Sequence, residues 1–167
     1  VRRFMPELFD SEFDQMKRIA GELASNLVER LARDCQTTSD TETLTAQLQQ
    51  FVHDYSFIQY VYVTDVKGHS TAIAISDPGD QKGYKAFPIG FDYSNREWFQ
   101  QPMRTGKLHI MNVHQSQVTG QLIITVSTVI TDANDEIIGV LGADIQLEEI
   151  IRRAEALEAE EHIGEEE

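Results

Sequence analysis

A single cysteine, Cys35, stands in 167 residues, so no disulfide can form within the chain and no zinc site can be built on cysteines. Long apolar runs are missing too. No stretch approaches the roughly 18–20 residues that a membrane-spanning helix needs, and no signal peptide is visible. Basic residues are scarce: Lys and Arg number 14 against 28 Asp and Glu, a formal net charge of −14. That balance excludes non-specific nucleic-acid binding, which depends on basic patches facing phosphate. Enzyme signatures are absent as well, with no P-loop, no GxGxxG after a strand, no Gly-x-Ser-x-Gly and no His-Glu-x-x-His. His53, His69 and His109 show no metal-ligand spacing with Asp or Glu and read as surface residues. The sequence therefore points to no cofactor, no metal and no catalytic residue.

Apolar residues make up 41 % of the chain, enough for one core. From Pro6 to about Arg33 they recur at steps of three and four (Leu8, Phe9, Phe13, Met16, Ile19, Ala20, Leu23, Leu27, Leu31), the stripe of one long amphipathic helix. Such a helix measures about 42 Å, more than one sheet can cover. "TTSDTETL" breaks and restarts it, with Ser39 and Glu42 spaced as a capping box. "FIQYVYVTDVKGHSTAIAIS" reads as a hairpin turning at Asp65 and Lys67. The loop "DPGDQKGYKAFPIG" is long for a passive connection and suggests a lid. Ser94 and Glu97 form a second capping box, so "NREWFQQPMR" opens as a short helix. The strands "LHIMNVHQ", "QLIITVSTVIT" and "EIIGVLGADIQ" follow, turning at "SQVTG" and "DAND". A final helix carries Leu147, Ile150, Ile151, Ala154 and Leu157 on one side and runs into the acidic tail "EALEAEEHIGEEE". Five strands joined as hairpins between helices make an α+β domain with an antiparallel sheet.

Three stretches carry a resemblance. "DYSNREWFQQPMRTGK" is similar to an Arg-x-Trp-Tyr segment that begins a short helix. "VHQSQVTGQLIITVSTVITD" is similar to a strand, Thr-Gly turn, strand and Asp-bearing turn. "IIGVLGADIQLEEI" is similar to a Gly-Val-x-Gly-x-Asp-Ile ending. Together they resemble the Cache domain, the PAS-like sensor module of bacterial receptors also called PDC. The resemblance implies a long N-terminal helix lying across a five-stranded antiparallel sheet, with ligand held on the opposite face under the loop and short helix. It divides the chain into a helix at 1–36 shared with a dimer interface, a sensor core at 37–147, and a C-terminal helix and acidic tail at 148–167. It implies a non-enzymatic sensor that binds a small molecule, such as an amino acid or organic acid, and signals to a kinase, cyclase or chemotaxis module. It also favours the extracytoplasmic portion of a receptor, meeting the membrane only through segments outside this chain; the alternative is a soluble cytoplasmic sensor.

The candidate site follows from chemistry and resemblance together. Arg96 supplies a bidentate fork for a carboxylate, in the first turn of a helix that itself favours an anion. Trp98 and Phe99 offer apolar walls, and Tyr93 a ring with one hydroxyl. The resemblance implicates Tyr93, Arg96 and Trp98; at Phe99 relatives usually carry Tyr. Strand alternation places Asp144 on one face with Ile138, Val140 and Gly142, where Gly142 leaves open space. The matching Asp in amino-acid-binding relatives meets the ligand ammonium. His114 replaces a Tyr common in relatives and would make binding pH-sensitive. Two rival readings stand beside the sensor. One is a dimerisation module whose pocket is vestigial; the other is a small hydrolase on His114 and Asp144, which lacks an activated nucleophile. The exposed helical stripe predicts a homodimer paired along Phe4 to Leu23.

Overall fold

The computed structural model describes residues 6–36, 40–77, 85, 87–111, 113–115 and 121–166. The order is α1 (Pro6–Cys35), α2 (Thr41–Asp54), β1 (Ile58–Thr64), β2 (Ser70–Ile75), α3 (Glu97–Thr105), β3 (His109–Ile110), β4 (His114–Gln115), β5 (Leu122–Thr131), β6 (Ile137–Gln146) and α4 (Leu147–Glu166). The strands form one antiparallel sheet in the order β2-β1-β6-β5-β3, with β4 also paired to β5. The expected α+β architecture is present, with the long helix on the sheet and a helix at each end.

Alternation along the central strands sorts side chains into two layers. Val61, Val63, Leu141, Ala143 and Ile145 face α1, whose Ala20, Ala24, Val28, Leu31 and Cys35 repeat at helical spacing and are buried with them. Leu48 and Val52 of α2 and Leu147 and Ile150 of α4 close the same core. Tyr60, Tyr62 and Val140 face the other way and meet Tyr93, Trp98 and Phe99. The sheet thus carries a helical core on one side and an aromatic cluster on the other.

Three local expectations are corrected. The cap of α2 is Asp40, whose carboxylate accepts the N–H groups of Glu42 and Thr43, while Ser39 lies outside the described residues. The proposed Ser94 and Glu97 box does not form. Asp92 Oδ1 takes the Ser94 N–H at 2.8 Å, so the chain turns first, and α3 begins at Glu97 with an extended Arg96 as its cap. "LHIMNVHQ" does not stay one strand: it pairs with β5 at His109–Ile110, through Met111 N–H to Thr125 O, and again at His114–Gln115.

Of the three turns read from sequence, two form by side-chain support, and "SQVTG" at 116–120 lies outside the described residues. Asp65 Oδ1 accepts the Lys67 and His69 N–H groups, and Asp132 Oδ1 accepts those of Asn134 and Glu136. Gly68 has φ +92°, and a Cβ there would lie 2.9 Å from the Ser94 backbone. Glycine is therefore needed for the β1–β2 turn to support the segment that leads into α3. Its carbonyl accepts the Tyr93 N–H at 2.8 Å. Most of the expected lid, 78–84 and 86, lies outside the described residues.

Candidate functional site

The aromatic layer encloses a cavity of about 240 Å³ between α3, the edge strands and the sheet. Its floor is set by strand register. Thr125 of β5 lies directly across from Asp144 of β6, and Tyr62 of β1 is across from Gly142. Both neighbours reach the Asp144 carboxylate. Thr125 Oγ1 donates to Oδ1 at 2.8 Å, and the Tyr62 hydroxyl donates to Oδ2 at 3.2 Å. His114 Nε2 lies 3.5 Å from Thr125 Oγ1, beyond the carboxylate's own partners.

Asp144 keeps part of its surface open to the cavity but sits deep in the protein. That desolvation raises its carboxyl above the ordinary range, against the opposing pull of the Thr125 and Tyr62 hydrogen bonds and of His114. Burial raises the Tyr62 phenol too, with the Asp144 charge adding to it. The same two causes raise Tyr93, and the nearby Arg96 opposes them. Burial thus works against the charged carboxylate, while two hydroxyl donors and His114 work for it.

The walls are aromatic. Trp98 stacks on Tyr62 with ring centroids 5.9 Å apart and tilts against Tyr93 at 5.0 Å. Phe87 packs edge-on to Tyr62 at 5.7 Å. Tyr93 is 2 % exposed, yet its hydroxyl has no hydrogen-bond partner among the described residues. A buried hydroxyl left unmet is costly.

Five of the six residues singled out from sequence line this one cavity: Tyr93, Arg96, Trp98, His114 and Asp144. Phe99 does not; it is buried in the aromatic cluster behind the wall. The open space expected at Gly142 is filled, because the Trp98 ring occupies it. Sequence reasoning missed Tyr62, Thr125, Phe87 and Met111. Alternation in "IQYVYVT" already put Tyr60 and Tyr62 on one face, a signal that could have raised Tyr62. Thr125 is identified only once the β5–β6 register is known.

The family model for the methyl-accepting chemotaxis protein-like first PDC sensor domain matches residues 41–152. A protein of Syntrophus aciditrophicus named Citrate (Re)-synthase is 38 % identical over 156 residues, covering 93 % of this chain and 25 % of its own length. The methyl-accepting chemotaxis protein McpA of Pseudomonas putida is 24 % identical over 125 residues, covering 75 % of this chain and 18 % of its own. The ligand-binding domain of the Pseudomonas aeruginosa amino acid chemoreceptor PctC, solved in complex with GABA, superposes with a TM-score of 0.65 at 23 % identity. That match covers 86 % of this chain and 62 % of the solved one. The chain therefore spans a quarter or less of these curated relatives and under two thirds of that structure.

Proposed function

The chain belongs to the family of methyl-accepting chemotaxis protein-like first PDC sensor domains, and on that premise we propose that it binds a free amino acid or similar zwitterion. One observation carries the reading: Arg96 and Asp144 line the same small aromatic cavity, beside the Tyr93 and Trp98 rings. Arg96 takes the carboxylate through its planar fork. Asp144, held by Thr125 and Tyr62, takes the ammonium. Trp98 and Tyr62 exclude water, which strengthens both contacts. The domain carries no chemistry of its own and passes occupancy on through the sheet. A second copy pairs with it along the N-terminal part of α1.

The relative named Citrate (Re)-synthase favours a second reading, in which the module senses an organic acid for an attached enzyme. Charge balance in the cavity favours the amino acid. Arg96 and His114 face Asp144 and Glu97, whereas a di- or tricarboxylate calls for a surplus of cations.

Thermal melts with the twenty proteinogenic amino acids, GABA, citrate and succinate test both readings. Ligand at a hundredfold its Kd stabilises by about 2.7 kcal/mol, a rise of roughly 5–10 °C for a domain of this size. Arg96→Ala abolishes that rise while keeping the unliganded midpoint. A shift given only by citrate or succinate replaces the first reading with the second. No shift from any compound leaves the rival of a vestigial pocket.

A further inference from the structure

In an α-helix the carbonyl of residue i accepts from the N–H of residue i+4. For Trp98 that position is Pro102, inside α3, which has no N–H to give. The Trp98 carbonyl is met from outside the helix. Ser127 Oγ of β5 donates to it at 2.6 Å, in a buried setting where Ser127 is 0 % exposed.

Ser127 belongs to a row of paired residues that crosses the sheet. It pairs with His109 of β3 on one side and Gly142 of β6 on the other, and Gly142 pairs with Tyr62 of β1. These four members of the row all meet the first turn of α3. His109 Nε2 lies 3.0 Å from Glu97 Oε2. Ser127 holds the Trp98 carbonyl, Gly142 leaves room for the Trp98 ring, and Tyr62 stacks on it.

We propose that Ser127 is a positioning residue of the ligand site: Pro102 frees the Trp98 carbonyl, Ser127 fastens it to the sheet, and the fastened turn sets the Trp98 wall and the adjoining Arg96. Ser127 lies outside the residues that line the cavity, so its effect on the ligand runs through Trp98. The ligand part rests on the amino-acid reading above; the clamp itself does not.

Trp98 is the single tryptophan of the chain, so its fluorescence reports the clamp without any ligand. Ser127→Ala leaves the buried carbonyl unmet. It is expected to make Trp98 clearly more accessible to acrylamide and to weaken binding of the stabilising amino acid by about tenfold or more. In Pro102→Ala/Ser127→Ala the new N–H at 102 takes over the carbonyl, and both quenching and affinity return toward wild type. A purely packing role for Ser127 predicts no such rescue. Wild-type quenching and affinity in Ser127→Ala overturn the proposal, as does a double variant no better than the single one. If Ser127→Ala does not fold, a folded double variant supports the clamp and an unfolded one overturns it. If no amino acid binds the wild type, the amino-acid reading fails, and quenching alone decides the clamp.

Discussion

Trp98 fills the space that the missing side chain of Gly142 leaves: a Cβ on Gly142 would come within 2.9 Å of Trp98 Cε3 and 3.1 Å of Cζ3. The ring cannot retreat easily, because Tyr62 and Tyr93 hold its other sides. Gly142→Ala is therefore overpacking, expected to cost about 1–3 kcal/mol. That corresponds to a midpoint roughly 2–10 °C lower, with ligand stabilisation lost because the wall has moved. A melt of Gly142→Ala with wild-type midpoint and wild-type ligand shift would show that the ring yields freely.

Asp144 gives a prediction with a definite sign. Its carboxyl is raised from 3.8 in the fold, mainly by burial. Between the two values the folded protein binds more protons than the unfolded chain, so unliganded stability falls as pH rises through that window. Below the ordinary value the contribution is fully present. Asp144→Asn removes this fall: its denaturant midpoint should decline less than that of wild type as pH rises from about 4 through the raised value. The same variant should lose amino-acid binding, since the amide carries no charge for the ammonium. Parallel midpoint curves for the two proteins would refute the destabilising role of the carboxylate.

The sheet was legible because its strands alternate. In "IIGVLGADIQ", Val140, Gly142 and Asp144 fall on one face, and Leu141, Ala143 and Ile145 on the other, as the two layers require. Ile138, expected with the first set, is 43 % exposed near an irregularity where the β5–β6 register shifts. Capping was less legible, because a Ser-x-x-Glu spacing competes with nearby aspartates. Asp40 and Asp92 accept N–H groups more directly than Ser39 or Ser94 were expected to. The site was half legible. Arg96, Trp98 and Asp144 stand out as residue types, whereas Thr125 and Ser127 look like ordinary strand residues. Their roles arise from register: one is opposite Asp144, the other opposite Gly142.

The length of α1 leads to the last prediction. Among the residues of α1 whose burial is described, those from Ala20 to Cys35 contribute to the core beneath the sheet. The helix continues back to Pro6, and the sequence carries the apolar stripe along that part as Leu8, Phe9, Phe13 and Met16. Of the segment first expected at the interface, Phe4 lies outside the described residues, while Ala20 and Leu23 already pack in the core. The dimer expectation then rests on the stripe that the sequence carries between Leu8 and Met16. An apolar stripe is costly to leave in water wherever its own core does not cover it, and a second copy related by a two-fold axis supplies a matching one. Light scattering at micromolar concentration should report twice the chain mass. Phe13→Glu with Met16→Glu should halve it. A folded, soluble monomer from the unmodified chain would end the dimer reading and leave this segment for a partner of another kind.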